Sequence, residues 1–187
     1  MKQIKLRVPE NWNDITVKQY QQFMRVLDSN KEEKVKNLEI VSAFCDIDVK
    51  TLKRFKIKDL NKVSNIIVSM TKDDPSDIKM QRNIEFNNQK YGVIPNMAEM
   101  TTGEFVDLET FCEDSTENLH KIMSILYRKQ TSEVNRYDRY TVEKYKPTEE
   151  KKNLMLDLPM GYALGVLNFF FHLGETLITD SRSYLMK

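Results

Sequence analysis

The sequence predicts a predominantly helical α+β domain, in which several helices surround a buried C-terminal helix and a small antiparallel sheet lies beside them. Three observations predict this class. Apolar residues recur at helical spacing through most of the chain, and residues 84–95 have the pattern of two short strands. The segment LPMGYALGVLNFFFHLGETLI, Leu158 to Ile178, is apolar nearly all round. A helix of that kind is buried in a protein core or in a membrane.

The setting of this C-terminal helix is decided by its length and its polar residues. The uncharged run from Leu158 to Gly174 is at the short end of the roughly 17 to 25 residues that a membrane span needs. Asn168 and His172 interrupt it, whereas Gly161 and Gly165 would let a neighbouring segment pack closely. We therefore favour a buried central helix over the alternative of a span, and no membrane span is expected.

The bulk composition is that of one globular domain, residues 1–187. Basic and acidic residues number 29 and 28, which gives a formal net charge of +1. That balance argues against a general polyanion binder, so no direct nucleic-acid recognition is expected. The basic excess within residues 31–72 is small and is attributed to solvated helix faces. The N-terminus lacks the apolar core of a signal peptide, and Cys45 and Cys112 make no disulfide framework.

Strand and turn signals predict a three-stranded sheet. Residues Gln3 to Val8 alternate between apolar and charged side chains, which predicts an N-terminal strand that ends at Pro9. Residues 84–95 predict a hairpin whose turn contains Asn87 and Asn88, because asparagine tolerates the left-handed backbone of tight turns. A lone hairpin is marginal in water, so we expect the N-terminal strand to join it.

Helix starts are predicted from capping patterns. Thr16 with Gln19 forms a capping box that opens a helix reaching about Asp28, and Asn30 with Glu33 suggests a second start. Further helices are predicted from Asp48 to Phe55, through Leu60 to Met70, from Thr101 with Phe105, Leu108 and Phe111 inward, and from Ser115 onward.

Residues Gln130 to Asp157 form a long polar segment between predicted helices. A structureless loop of that length is usually functional or disordered. Tyrosine and arginine, the side chains enriched at protein interfaces, are interleaved along it. We predict a protruding arm or extended loop that contacts a partner protein, the alternative being a flexible connector. The candidate partner-binding residues here are Arg136, Tyr137, Arg139, Tyr140 and Tyr145.

Residues 96–119 contain seven acidic side chains and no basic one. Acidic residues are favourable in the first turn of a helix, near the positive end of the helix dipole. Seven carboxylates without a neighbouring basic residue also form an acidic face. We hypothesise that this face meets a basic face on another subunit. Glu109 and Glu113 are its candidate partner-binding residues.

The inventory for catalysis is thin, since the chain has no Gly-rich phosphate loop, HExxH or G-x-S-x-G motif. Glu117 with His120 and His172 with Glu175 place a carboxylate and an imidazole on one helical face each, as in di-iron bundles. Ordinary hydrogen-bonded histidines explain both pairs better. We expect no enzymatic activity, no catalytic residue, no metal and no cofactor.

Five phrases, taken in order, form a set that resembles a known group of proteins. They are ITVKQYQQFMRV, YGVIPNMAEMTTGEFVDLETF, NLHKIMSILYRK, RYTVEKYKP and MGYALGVLNFFFHLGETL. The set is similar to small virion and tail-assembly proteins of tailed bacteriophages, particularly crAss-like and related phages of Bacteroidetes. The shared patterns are structural, so they carry over no catalytic residue.

The resemblance implies a non-enzymatic structural component of a phage virion, in a neck or tail ring or elsewhere in the particle. Its expected partners are other phage structural proteins and further copies of itself in a homo-oligomer. It would be made and assembled in the bacterial host cytoplasm and located in the virion. The alternative role is a tail assembly chaperone that is absent from the mature particle.

Overall fold

The structure is a computed structural model that describes residues 6–72 and 74–170. It is a mostly helical α+β fold with a three-stranded antiparallel sheet, which confirms the predicted class. The helices are α1 (Val17–Asp28), α2 (Glu33–Cys45), α3 (Val49–Leu52), α4 (Ile57–Lys72), α5 (Thr102–Cys112), α6 (Leu119–Leu126), α7 (Glu149–Leu154) and α8, which is helical over 160–170. The strands are β1 (Asn83–Phe86), β2 (Gln89–Val93) and β3 (Tyr127–Lys129).

Two of the predicted helix starts are capped as expected. Thr16 and Gln19 exchange side-chain to backbone hydrogen bonds of 2.8 and 3.2 Å, and Thr101 and Glu104 form the same reciprocal box. The start inferred from Asn30 is wrong by two residues, because α2 is preceded by Glu32, which makes no side-chain cap. The start inferred from Ser115 is also wrong, since α6 begins after Asn118 and the preceding residues form turns.

The predicted hairpin is present, but the third strand of the sheet is a different segment. Asn87 and Asn88 have φ angles of 49° and 56° and make the tight turn between β1 and β2. The free edge of β2 pairs with β3, which follows α6 directly. The N-terminal strand is therefore wrong for residues 6–8, which are in no strand, while residues 3–5 lie outside the described range. Alternation alone does not choose a pairing partner.

The central position predicted for the C-terminal helix is confirmed over its first turns. Leu158, Met160, Ala163 and Val166 are fully buried and join the core contributed by the N-terminal helices and α6. The entry to α8 is also tied to the N-terminus, because Met160 N–H donates to Ile15 O at 2.8 Å. Burial ends toward residue 170, and Phe169 is 44% exposed. The residues of the predicted helix beyond 170 are outside the described range.

The glycines of α8 admit close neighbours, as their spacing predicted. A methyl group on Gly165 would lie 2.6 Å from the Lys79 carbonyl oxygen, and one on Gly161 would overlap the Asn13 side chain. Within residues 6–72 and 74–170, no helix is both long enough and apolar enough to span a membrane.

The inward face predicted for α5 is partly wrong. Leu108 and Phe111 are half-buried, but Phe105 is 51% exposed and Glu104 is buried in its place. The helix is rotated because Glu104 forms an ion pair with the buried Arg128. Hydrophobic periodicity assigns a glutamate to the solvent side and so misplaces this face.

Candidate protein-binding surface

Residues 130–148, here called the strap, fold back on themselves beside the edge of the sheet. Gln130 N–H donates to Lys90 O at 3.0 Å, which continues the pairing of β3 with β2. The returning half runs alongside the outgoing half, with Thr131 N–H donating to Thr141 O and Glu143 N–H to Lys129 O, each at 2.9 Å. The strap is thus a short two-stranded extension of the sheet that carries a projecting tip.

The tip, residues 131–139, is exposed throughout and is held in one shape by its own hydrogen bonds. The Asn135 side-chain oxygen accepts from the backbone N–H groups of Tyr137 and Arg139 at 2.9 and 3.1 Å. Asp138 adopts a left-handed φ of 55° and closes the turn. The result is a preformed turn that presents Arg136, Tyr137 and Arg139 to solvent, with Tyr137 65% exposed.

Tyr140 anchors the tip to the sheet. Its ring is 6% exposed, and its hydroxyl lies 2.6 Å from Val93 O and 3.1 Å from Arg82 O. The ring lies so close to Gly92 that a methyl group there would overlap it. Burial raises the pKa of the Tyr140 phenol. Arg82 adds an ion pair to Asp138 at 3.1 Å and lies over the Tyr140 ring.

Tyr145 is the second anchor of the strap, and it contacts α5. Its hydroxyl donates to Asp107 Oδ2 at 2.7 Å, and its ring lies 5.4 Å from the guanidinium carbon of Arg128. Burial first, and then the hydrogen bond to Asp107, raise the pKa of the Tyr145 phenol. The first contact joins the base of the strap to α5, and the second joins it to β3.

Both side chains of the ion pair next to Tyr145 are buried. Arg128 Nη1 lies 2.9 Å from Glu104 Oε1, and Arg128 Nε donates to Ile125 O at 2.9 Å. Arg128 Nη2 has no acceptor among the described residues, while the guanidinium carbon lies over the Tyr145 ring within the range of a cation–π contact. Because both charges are removed from water, loss of either partner would leave the other charge buried and unpaired, which would destabilise the fold.

The structure therefore divides the five strap candidates into two groups. Arg136, Tyr137 and Arg139 lie together on the exposed tip, whereas Tyr140 and Tyr145 are used inside the molecule. The predicted arm is also shorter than residues 130–157. Its last part is α7 and a 3₁₀ turn, Met155–Asp157, whose Met155 belongs to the core.

The acidic segment is divided in a similar way. Three of its carboxylates have partners within the chain. Glu104 forms an ion pair with Arg128, and Glu117 forms one with Arg25 at 2.5 Å. Asp107 accepts a hydrogen bond from the Tyr145 hydroxyl. Glu109 and Glu113 are exposed and form no ion pair with any described residue. Glu109 lies on the outward face of α5 with the exposed Phe105 and Val106, and Glu113 directly follows the helix with a helical backbone, one turn beyond Glu109.

The pair considered for metal binding has other contacts. Glu117 binds Arg25, which lowers the pKa of the Glu117 carboxyl, and His120 Nδ1 lies 3.2 Å from Gln21 Nε2. Burial, followed by the charges of Lys121 and Arg25, lowers the pKa of His120. No cluster of metal-ligating side chains occurs in the described part of the chain, and His172 and Glu175 are outside it.

Sequence reasoning missed the buried pair of Glu104 and Arg128. The available signal was the position of Arg128 directly after the largely apolar run IMSILY, which covers most of a buried helix. Neither a family model, nor a curated protein, nor a solved structure matches this chain. The strap tip and the outward face of α5 thus form a shaped surface of arginine, tyrosine and carboxylate side chains, suited to binding another protein.

Proposed function

We propose that this chain is a non-enzymatic structural component of a tailed-phage virion, a subunit of a neck or tail ring or of another part of the particle. It acts through protein–protein contacts, is made in the bacterial host cytoplasm and is located in the virion. Its partners are other phage structural proteins and further copies of itself. The strap tip is the contact that it offers to a different protein.

The observation that carries the proposal is the preformed tip. A flexible loop loses conformational entropy when it binds, whereas a loop already held by Asn135 and anchored by Tyr140 loses little. The side chains that it exposes, Arg136, Tyr137 and Arg139, are of the types that contribute most to binding energy at interfaces. The resemblance to phage virion proteins supports the same role.

The second candidate is a tail assembly chaperone, which would shield aggregation-prone tail proteins and be absent from mature particles. One observation favours it. Helix α4 exposes Ile57, Ile66 and Val68, with 78% of Ile57 accessible to solvent. Exposed apolar side chains can cover an apolar client. Ile57 lies more than two helical turns from the other two, however, and Ile66 and Val68, two residues apart, lie on different sides of α4, so we place the virion subunit first.

The experiment that tests the proposal is mass spectrometry of density-gradient-purified particles of the phage that encodes the chain, with copy number measured against the major capsid protein. A constant stoichiometry near that of a ring supports the subunit role. Absence from particles together with abundance in infected-cell lysate supports the chaperone and overturns the subunit.

A second measurement tests the tip itself. The triple variant Arg136→Ala, Tyr137→Ala, Arg139→Ala should keep the fold and lose incorporation into particles when it replaces the wild-type chain. The matched control is Lys34→Ala with Asn37→Ala, which removes exposed side chains from α2. Incorporation of the triple variant at the wild-type level would exclude the tip as the binding surface.

A further inference from the structure

The near-zero net charge of this chain conceals two surfaces of opposite sign. The first lies where α3 turns into α4, between residues 50 and 62. This basic corner carries one acidic residue, Asp59, and six exposed basic side chains: Lys50, Lys53, Arg54, Lys56, Lys58 and Lys62. None of the six forms an ion pair with a described residue. Ile57, the most exposed large apolar side chain of the described residues, lies among them.

The second surface is the outward side of α5. Residues 105, 106, 109 and 113 are spaced so that they share one side of a helix. This acidic face combines two unpaired carboxylates, Glu109 and Glu113, with two half-exposed apolar side chains, Phe105 and Val106. No basic residue occurs between residues 96 and 119 to neutralise it. An apolar centre beside unanswered charge is typical of a protein interface.

We infer that the acidic face of one copy binds the basic corner of a second copy, so that the chain assembles head to tail. The inference rests on the proposed function, because it names the partner of a particle subunit as the chain itself. The two surfaces match in charge, and each has exposed apolar side chains to bury, Ile57 on one and Phe105 and Val106 on the other. A contact between two different patches of the same chain generates a ring or a filament.

The charge distribution favours a second copy over nucleic acid as the occupant of the basic corner. A nucleic-acid binder carries a net basic excess, whereas this chain has +1 overall and holds a matching acidic surface of its own. Attraction between unlike patches speeds association and sets the register of the contact. It also weakens as salt screens the charges.

Two charge-reversal variants test the interface. The first reverses the acidic face with Glu109→Lys and Glu113→Lys. The second reverses the basic corner with Lys53→Glu, Arg54→Glu, Lys56→Glu and Lys58→Glu. The control reverses four exposed lysines outside both surfaces, Lys18→Glu, Lys34→Glu, Lys144→Glu and Lys146→Glu. Self-association is followed by sedimentation velocity over a concentration series at low and high salt, with circular dichroism to check folding.

The wild-type chain should self-associate at low salt and dissociate at high salt. Each reversal alone should lower the association constant at least about tenfold, because it places like charges opposite each other. An equimolar mixture of the two variants should recover association, since each altered surface then meets its complement, and the control should behave as wild type. Recovery on mixing cannot be produced by misfolded variants.

Three results would overturn the inference. They are a wild-type chain that stays monomeric at low salt, a reversal variant that assembles as well as wild type, or a mixture that stays monomeric. Binding of a DNA duplex at physiological salt, lost on reversal of the corner while self-association is unchanged, would instead assign the corner to nucleic acid.

If the reversal variants enter particles as wild type does, the interface fails and the subunit role stands. If charge-swapped mixtures assemble but the chain is absent from particles, the subunit role fails and the interface stands.

Discussion

The tip and the anchors of the strap contain the same residue types but have different roles in the molecule. The tip is shaped by hydrogen bonds within residues 135–139 and leaves Tyr137 in solvent. The anchors bind groups that are distant in the sequence, since Tyr140 reaches Val93 and Tyr145 reaches Asp107, 47 and 38 residues away. Stability should therefore depend on the anchors and partner binding on the tip.

This division explains how one polar segment can be both ordered and available. A long loop is expensive to order unless buried contacts hold it, and two tyrosines supply those contacts here. The tip can then carry arginine and tyrosine for a partner without contributing to the core. Substitutions that affect the anchors and the tip differently will test the comparison, and they are considered in order of expected effect.

Breaking the buried ion pair under Tyr145 should have the largest effect. Arg128→Met leaves the Glu104 carboxylate buried without its partner, so the free energy of unfolding should fall by about 3–5 kcal/mol in urea denaturation. Adding Glu104→Gln, which keeps the capping pattern, should restore much of the loss. A loss below about 1 kcal/mol for Arg128→Met would show that the pair is not sealed from water.

Removing the first anchor should be the next largest change. Tyr140→Ala should lower stability by about 3 kcal/mol and make the strap susceptible to proteolysis, because the ring is buried against the sheet. Tyr140→Phe keeps the ring and removes the hydroxyl that donates to Val93 O and Arg82 O, for a loss of about 1 kcal/mol. The triple alanine variant of the tip should stay within about 0.5 kcal/mol of wild type per residue. Equal losses for anchor and tip would contradict the division.

A substitution at Gly92 tests how closely the Tyr140 ring packs against the sheet. Gly92→Ala places a methyl group in the space of the Tyr140 ring and should cost about 1–2 kcal/mol. Gly103→Ala is the matched control, since nothing lies within 4 Å of a methyl group there and alanine favours a helix. We expect the control to be neutral or stabilising by up to about 1 kcal/mol in thermal or urea unfolding. If Gly92→Ala were tolerated as well as Gly103→Ala, the Tyr140 ring would not be held against Gly92.

The smallest effect is a dependence of stability on alkaline pH. The folded-state pKa of Tyr145 is raised above the unfolded value near 10, so its contribution to stability is complete below about pH 10 and is lost as the pH rises through the folded pKa. Tyr145→Phe should therefore be less sensitive than wild type to a change from neutral to strongly alkaline pH in urea denaturation. Tyr137→Phe is the control, because Tyr137 is exposed on the tip. Identical pH slopes for wild type and Tyr145→Phe would show that the second anchor is solvated.

Local signals in the sequence were sufficient for much of the fold. The capping boxes at Thr16 and Thr101 and the Asn87–Asn88 turn depend on residues that are neighbours in the chain, and all three are present. The central helix was also predictable up to residue 166, because an element that is apolar on every side has only the core to occupy.

Contacts between distant residues account for two of the predictions that failed, the third strand of the sheet and the inward face of α5. The third strand is Tyr127–Lys129, and residues 6–8 of the predicted N-terminal strand are in no strand, since strand pairing depends on which segment the helices bring to the free edge of β2. Phe105 faces solvent because Arg128, far along the chain, holds Glu104 inside. Neither choice leaves a periodic pattern in the sequence.

The residue types along the chain establish the chemistry of the candidate surface: a segment rich in tyrosine and arginine, and a run of carboxylates without cations. The folded structure separates these residues: Arg136, Tyr137 and Arg139 are exposed, whereas Tyr140 and Tyr145 are anchors. Of the six carboxylates of α5 and the α5–α6 connection, Glu109 and Glu113 are the two without a partner among the described residues. The physical reason is that a side chain's type sets what it can bind, whereas its burial and its partner depend on residues that the fold brings near it from elsewhere in the chain.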